Sequence, residues 1–262
     1  MARIYVGTSG YSYDDWVGPF YPADLGKREF LSYYGQVFDS VEVNYTYYRM
    51  PNPATLRAMG NKVGSDFSFA VKANSAMTHE RTADEELFDE FRVALSPLAE
   101  SGKLGVVLAQ FPWSFRPARE AVDWLRRMAG CMEGLPLVVE FRNAGWIRER
   151  TFEFLDDLGL GFCCVDQPRL EGLVPPVVRL TGSIGYVRFH GRNAEKWWEH
   201  DEAWERYDYL YTREELSEWV PRVAELAEKA DVLYAFFNNH YQAQAVQNAT
   251  LFRDMLAEAG VI

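Results

Sequence analysis

The sequence predicts an α/β protein built as a single (β/α)8 TIM barrel, with residues 1–262 forming one domain. Short apolar runs alternate with amphipathic stretches eight times along the chain, which is typical of a parallel sheet with helical crossovers. A length of 262 residues with 48% hydrophobic content suits one barrel with a single core. No G-x-G-x-x-G motif follows the first strand, which argues against an open dinucleotide-binding sheet.

Eight apolar runs between turn-forming segments are the predicted strands. They cover residues 3–7, 40–44, 67–72, 104–110, 137–141, 161–165, 184–189 and 232–237. Helical spacing of apolar residues predicts helices over 84–100, 117–128, 212–229 and 242–259. Thr212 and Glu215 form a capping-box pattern at the start of the third helix, and Pro221 predicts a kink within it.

Three connections depart from a regular barrel. The sixth crossover, residues 167–183, is short and Pro-rich, so helix 6 is expected to be missing or rudimentary. The connections over 9–27 and 191–211, after strands 1 and 7, are long and rich in Trp and Tyr. Both should lie on the C-terminal face of the barrel. Their rings have two interpretations: they pack the loops against the barrel, or they stack on a planar or sugar-like ligand.

The composition restricts the partners and the compartment. A net charge of −11 argues against a broad basic face for nucleic acid or an anionic membrane. The three cysteines contain no C-x-x-C pair, which is typical of free thiols in a reducing compartment. The N-terminus has no signal-peptide pattern, and no apolar run approaches the length of a membrane span. We therefore predict a cytoplasmic protein that does not associate with membranes.

Polar and ionisable side chains gather at the C-terminal ends of the predicted strands, where a barrel of this kind carries its active site. In strands 2, 5 and 7 they alternate with Val or Phe, so one face of each strand should point into the barrel mouth. The candidate catalytic residues are Glu42, Lys72, Glu140, Asp166 and His190. The candidate ligand-binding residues are Tyr11, Asn44, Tyr48, His79, Gln110, Arg142, Trp146, Arg188, Arg192, Asn238, Asn239 and His240.

The charged strand ends have a structural interpretation beside the functional one. Buried charges can form a closed lattice of ion pairs that only holds the barrel together. The pairs predicted by this interpretation are Glu42 with Lys72, Glu140 with Arg142, and Asp166 with Arg188. The functional interpretation is favoured for the set as a whole because the charges lie only at the C-terminal ends, above apolar strand positions.

The cations at the strand ends match or exceed the carboxylates, which suits an anionic ligand such as a phosphate or carboxylate. The loops after strands 7 and 8 are the customary phosphate cradle of this fold. Here they are residues 191–193 and 238–240, the second leading into a helix. Alternatively, Asn238 or Asn239 is an N-cap of the last helix.

Several motifs, in order over nearly the whole chain, resemble the YecE-like family, also called domain of unknown function 72. The motifs are residues 7–13 (GTSGYSY), 20–22 (FYP), 41–44 (VEVN), 69–72 (FAVK), 110–112 (QFP), 140–142 (EFR), 186–191 (YVRFHG) and 237–239 (FNN). Tyr11 stands where many members carry Trp. The resemblance implies a TIM barrel and no established activity. It also implies a likeness to metal-dependent abasic-site endonucleases, whose dense His and carboxylate pattern this chain does not show.

The leading hypothesis is an enzyme, a hydrolase, lyase or isomerase, that binds an anionic, ring-containing ligand such as a phosphorylated sugar or nucleotide-like molecule. Carboxylates would perform acid–base chemistry, and Lys72 could alternatively form a Schiff base. No metal or cofactor is predicted, because no His-x-His or His-Glu-x-x-His spacing is present. The alternatives are a metal-dependent phosphodiesterase acting on nucleic acid, a non-catalytic ligand-binding barrel, and a glycosidase.

Overall fold

A computed structural model describes residues 2–202 and 204–262, and its eight strands close into a parallel barrel in sequence order. The strands are β1 (Arg3–Ser9), β2 (Ser40–Val43), β3 (Ser68–Lys72), β4 (Leu104–Gln110), β5 (Leu137–Glu140), β6 (Gly161–Asp166), β7 (Ile184–Phe189) and β8 (Val232–Phe237). Strand β8 pairs in parallel with β1 and closes the sheet. The predicted (β/α)8 barrel is confirmed, with strand bounds within two residues of the prediction.

Helices surround the barrel and include several short turns. The α-helices are α1 (Phe30–Tyr34), α2 (Tyr45–Tyr48), α3 (Pro53–Gly60), α4 (Ser75–Thr78), α5 (Glu85–Glu100), α6 (Arg119–Cys131), α7 (Glu149–Asp157), α8 (Arg213–Ser217), α9 (Val220–Lys229) and α10 (Gln244–Glu258). The 3-10 helices are Asp14–Trp16, Lys27–Glu29, Ala144–Trp146, Glu205–Tyr207 and Tyr241–Ala243. Residues 167–183 contain no helix, as predicted. None of the helices described is long and apolar enough to cross a membrane.

The predicted helix over 212–229 is two helices, α8 and α9. The capping box is present at its start: Glu215 N donates to Thr212 Oγ1, and Thr212 N donates to Glu215 Oε2. Pro221 lies in the first turn of α9, where a missing N–H removes no helical hydrogen bond. The proline therefore helps to begin a second helix instead of kinking a continuous one.

Strand alternation determines which side chains enter the barrel, and β6 shows this clearly. Cys163 faces inward, with Sγ at 4.0 Å from Glu140 Oε2. Cys164 faces outward, where Arg179 N donates to its Sγ at 3.5 Å. Asp166 follows Cys164 by two residues and shares its outward face.

Aromatic rings fill the barrel below the strand ends. Tyr234 stacks on Tyr5 with 5.2 Å between ring centroids, and its hydroxyl lies 2.8 Å from Ser68 Oγ. A Cβ at position 105 would lie 2.2 Å from the Tyr234 oxygen, so Gly105 is required by this close approach. The interior is thus packed at its lower end and open only above.

Candidate ligand-binding site at the barrel mouth

A cavity of about 440 Å3, here called the mouth cavity, opens at the C-terminal ends of the strands. Its wall combines strand-end polar groups with rings from the loop after β1 and from α2. The lining residues are Gly10, Tyr11, Ser12, Tyr13, Glu42, Val43, Asn44, Tyr45, Tyr48, Lys72, Gln110, Arg142, Arg188, Tyr207, Asn238 and His240. Most of the residues predicted for the site therefore surround one space.

A second cavity of about 270 Å3, here called the side cavity, adjoins the first. Both are lined by Lys72, Gln110, Arg142 and Tyr207. The remaining wall of the side cavity is formed by Tyr47, His79, Pro112, Trp113, Leu173, Trp197, Trp198 and Arg206. The two cavities have room for a small ligand that extends from one to the other.

Arg188 bridges two buried carboxylates beneath the mouth cavity. Its Nη2 donates to Glu42 Oε1 and its Nη1 to Glu140 Oε2, each at 2.6 Å. The Tyr186 hydroxyl donates to Glu42 Oε2 at 2.7 Å. Arg142 Nε forms an ion pair with Glu140 Oε1 at 2.5 Å. We call this set of five side chains, from β2, β5, β7 and the second residue after β5, the floor network.

The floor network holds its charges firmly. Burial disfavours the charged forms, but Arg142 and Arg188 lower the pKa of Glu140 well below its ordinary range. Against the same cost of burial, Glu140 and Glu42 raise the pKa of Arg188 well above its ordinary value. Buried charges of this kind are stable because each one is paired with a charge of opposite sign.

His190 is neutral, and its partners fix the tautomer. Its Nε2 lies 3.1 Å from Glu140 Oε1, and an ionised carboxylate only accepts hydrogen bonds. Its Nδ1 lies 3.2 Å from Asn238 Nδ2, which donates. Burial lowers the pKa of His190 to about 3, and the charge of Arg142 acts in the same direction. His190 therefore orients Glu140 from behind the cavity wall.

Lys72 is not paired with Glu42, so the predicted Glu42–Lys72 ion pair is wrong. Its Nζ donates to Gln110 Oε1 at 2.9 Å and lies 4.6 Å from the centre of the Tyr47 ring. Burial lowers the pKa of Lys72 to about 7, and the charge of Arg188 adds to this effect. Arg188 prevents the predicted pairing because its longer side chain reaches Glu42 from across the barrel.

Asp166 and Arg192 lie outside both cavities. Asp166 accepts from Arg192 Nε and Nη2, from the Tyr211 hydroxyl and from Trp219 Nε1, at 2.7 to 2.9 Å. The predicted Asp166–Arg188 pair is therefore wrong, because Asp166 faces outward while Arg188 faces the barrel axis. The predicted Glu140–Arg142 pair is present.

The loops predicted as a phosphate cradle are used for internal contacts. The amide of Asn239 donates to Tyr209 O and to Asn248 Oδ1, each at 2.8 Å. Gly191 N donates to the Tyr211 hydroxyl at 2.9 Å. Neither Asn238 nor Asn239 caps the last helix, since the N-cap of α10 is Ala243.

The other predicted ligand-binding residues divide between wall and core. Tyr11 lines the mouth cavity, Tyr48 stands at its rim with 82% exposure, and His240 stacks on Tyr13 at 4.6 Å. Trp146 is buried away from both cavities, and its Nε1 donates to Phe115 O at 2.7 Å. His79 lines the side cavity, and burial lowers its pKa to about 4.

Several residues of the site were absent from the sequence prediction, among them Tyr13, Tyr45, Tyr186, Arg206 and Tyr207. Tyr186 precedes Arg188 by two positions, so strand alternation alone would have identified it. Tyr13 and Tyr207 belong to the two aromatic loops, but nothing distinguished them from the rings that only pack, such as Trp16. Tyr45 and Arg206 carried no signal, because their positions depend on how a short helix and a long loop fold over the mouth.

Comparisons with known proteins agree with this architecture. A family model described as "Protein of unknown function DUF72" matches residues 5–261. The UPF0759 protein YunF of Bacillus subtilis is 33% identical over 97% of this chain and 94% of its own length. The UPF0759 protein YecE of Escherichia coli is 29% identical over 46% of this chain and 42% of its own.

Solved structures show the same fold. A DUF72 family protein from Thermotoga maritima superposes with a TM-score of 0.91 at 42% identity, covering 97% of this chain and 99% of its own. A DUF72 family protein from Enterococcus faecalis has a TM-score of 0.87 at 26% identity, covering 97% and 95%. The structure of SacUVDE shares only the fold, with a TM-score of 0.57 at 11% identity over the full length of both chains.

Proposed function

The chain belongs to the DUF72 family of proteins of unknown function, and we propose that it is an enzyme acting on a small anionic ligand. The ligand carries a ring, as a phosphorylated sugar or a nucleotide-like molecule does, and it binds in the mouth and side cavities. Lys72, with the carboxylates of the floor network holding the arginines in place, supports acid–base chemistry of the hydrolysis, elimination or isomerisation type.

The charge on the cavity walls is the observation that carries this proposal. Three arginines, Arg142, Arg188 and Arg206, and the basic side chain of Lys72 line the two cavities, and Glu42 is the one carboxylate among the described lining residues. The protein as a whole has a net charge of −11, so the excess of cations is local. A cleft lined by one sign of charge concentrates ligands of the opposite sign.

Hydrogen-bonding atoms without a protein partner support the proposal independently. Asn44 Oδ1, Tyr45 Oη, Arg188 Nε and Arg206 Nε are buried, and none has a partner in the described part of the chain. All four residues line the mouth or the side cavity. Buried polar atoms of this kind are costly unless a ligand or water satisfies them.

The aromatic walls suit the ring of the ligand. Tyr11, Tyr45 and Tyr48 flank one side of the mouth cavity, and Trp197 and Trp198 flank the side cavity. Arg206 lies over the Trp197 ring, with 5.4 Å between its guanidinium carbon and the ring centre, so a cation borders the aromatic wall of the side cavity. An anionic group next to a ring would contact both surfaces at once.

Lys72 is the group best suited to move a proton. Its pKa of about 7 lies near neutral pH, where a general acid or base is most effective. Glu140 is buried and bound to three neighbours, so it acts by holding Arg188 and Arg142 in place. Glu42 borders the mouth cavity, and its carboxylate orients Arg188 toward a ligand.

The proposal is tested by calorimetric titration with inorganic phosphate, ribose 5-phosphate and ribose. We expect ribose 5-phosphate to bind more tightly than either of the others, because it offers both the anion and the ring. Arg206→Gln should weaken its binding by about tenfold, the effect of one charge-assisted hydrogen bond. Arg119→Gln, the matched control, removes a charge from a side chain that is 92% exposed and should leave binding unchanged.

Turnover is tested separately with a panel of phosphorylated and carboxylated ring compounds followed by NMR. Consumption by the wild-type protein that is lost in Lys72→Met would support the proposal. Equal affinity for ribose and ribose 5-phosphate would contradict a binding site for an anion. An equal loss of affinity in Arg206→Gln and Arg119→Gln would contradict it as well. Tight binding without consumption of any bound compound would contradict the enzymatic part.

A further inference from the structure

We infer that the Lys72 amine is a nucleophile that forms an imine with the carbonyl carbon of an aldehyde or ketone bound in the mouth cavity. The inference rests on the proposed function and narrows its substrate class to anionic carbonyl compounds. It differs from proton transfer because a covalent bond to the protein would form and break in each turnover.

The position of Lys72 distinguishes it from every other lysine. Three lysines form ion pairs with carboxylates, namely Lys27, Lys196 and Lys229. Two others, Lys62 and Lys103, donate to backbone carbonyls outside the site. Lys72 lines both cavities and donates to the neutral amide of Gln110, and within residues 2–202 and 204–262 it forms no ion pair.

Its surroundings favour the unprotonated amine. Burial disfavours the ammonium form most, and the guanidinium groups of Arg188 and Arg142 also oppose a further positive charge. Glu42 and Glu140 pair with Arg188. With a pKa of about 7, roughly half of the amine is unprotonated at neutral pH. An ordinary lysine, with a pKa near 10.4, is unprotonated at pH 7 in about one molecule in 2,500.

The reaction requires no reagent beyond the substrate. The Nζ lone pair attacks the carbonyl carbon, a C–N bond forms, and the π electron pair of the C=O bond moves to oxygen. The oxygen gains a proton, the nitrogen loses one, and water leaves after a second protonation of the oxygen to give a protonated imine. Water addition reverses these steps and frees the lysine.

Two side chains are placed to assist these steps. Arg142 borders both cavities, and its guanidinium can stabilise the negative oxygen that forms. The neutral imidazole of His79 lies on the same Tyr47 ring as Lys72, with 4.8 Å between the ring centroids. His79 is therefore available to carry protons between nitrogen and oxygen, together with water.

The experiment uses pyridoxal 5′-phosphate, which combines an aldehyde, a ring and a phosphate, with sodium borohydride to fix any imine. Peptide mapping by mass spectrometry then gives the extent of modification at each lysine. We expect Lys72 to be modified at least about tenfold faster than any other lysine at pH 7. Its modification should fall as the pH is lowered below 7, and pyridoxal without the phosphate should modify it more slowly.

Lys72→Arg keeps the positive charge and removes the nucleophile, and Lys103→Arg is the matched control. The first should abolish the fast modification and the second should leave it intact. The pH dependence in the wild-type protein provides the same test if Lys72→Arg does not fold.

Equal modification of all lysines, or a Lys72 rate that does not change between pH 6 and 8, would overturn the inference. If ribose 5-phosphate still binds in that case, the proposed binding site for an anion is supported and only the imine is wrong. If ribose 5-phosphate also fails to bind, the proposed function falls with it.

Discussion

Two buried clusters of this barrel combine a carboxylate with arginine, and they differ in whether all of their buried polar atoms have hydrogen-bond partners. Around Asp166, the groups of Arg192, Tyr211 and Trp219 use both carboxylate oxygens, and every buried polar atom described there has a partner. In the floor network, Arg188 binds two carboxylates, but its Nε has no partner among the described residues. The floor network borders the mouth cavity, whereas Asp166 and its partners do not line it.

The comparison shows that a buried ion pair does not by itself mark a functional site. The Asp166 cluster joins β6 to the α8–α9 region, so it compensates for the missing helix 6 by tying that side of the barrel together. The floor network instead keeps charges fixed beneath an open space. Unsatisfied donors next to a cavity, and not the ion pairs, distinguish a site that can receive a ligand.

Removal of Arg188 should have the largest effect on stability. Arg188→Met leaves Glu42 and Glu140 buried without their shared partner, which we expect to lower the free energy of unfolding by about 3 to 5 kcal/mol. Urea unfolding measures this change. Arg213→Met, which breaks a surface pair with Glu258, is the control and should change stability by less than about 0.5 kcal/mol. A similar loss in both variants would show that the floor network is not specially stabilising.

Lowering the pH should weaken the floor network through His190. Its pKa is about 3 in the folded protein and near 6.5 in the unfolded chain, so between these values the unfolded chain binds more protons. Stability should therefore fall as the pH drops from 6.5 towards 3, by up to about 1.4 kcal/mol per pH unit.

Urea unfolding at pH 7.0, 6.0 and 5.0 tests this slope. In this range Lys72 and His79, whose pKa values are also lowered in the folded protein, contribute a slope of the same sign, so His190→Gln should reduce the dependence without abolishing it. An unchanged slope in that variant would assign the pH dependence to another group.

Asp166→Asn should separate stability from binding. The amide nitrogen would face donors that the carboxylate oxygen now accepts, so we expect a loss of about 1 to 3 kcal/mol in unfolding experiments. Affinity for ribose 5-phosphate should not change, because Asp166 lies outside both cavities. A comparable loss of affinity in Asp166→Asn and Arg206→Gln would mean that the two clusters are coupled.

Tyr48→Ala should have the smallest effect of these substitutions, and it should change ligand affinity without changing stability. The ring is 82% exposed at the rim of the mouth cavity, so the free energy of unfolding should stay within about 0.5 kcal/mol. Loss of stacking on a ligand ring would weaken affinity by about two- to tenfold. The same variant tested with inorganic phosphate, which has no ring, should show no weakening.

The barrel was predictable from sequence because the alternation of apolar runs and amphipathic stretches repeats eight times along the chain. Alternating polar and apolar residues at Glu140 and Arg142 fixed the inward face of strand 5, and the same held for strands 2 and 7. Strand 6 shows no alternation of polar and apolar residues, because Gly161 to Val165 is apolar throughout. The sequence therefore did not predict that the side chain of Asp166 faces outward.

The pairing of charges across the barrel was not predictable. Sequence alternation gives the face of a residue, but it does not give its depth or which strand it meets on the opposite side. Arg188 reaches Glu42 and Glu140 because a long side chain at the seventh strand crosses the axis. Lys72 and its partner Gln110 lie on neighbouring strands, where a hydrogen bond was not anticipated.

The aromatic packing around Tyr234 and Gly105 determines from which end of the barrel a ligand could reach the mouth cavity. Below the floor network the barrel is filled by rings, so the mouth cavity is closed at its base. Under the proposed function, substrate and product would therefore both pass through the C-terminal face of the barrel. A product that stays bound at the cationic wall would occupy the substrate site, so inhibition by product should be competitive.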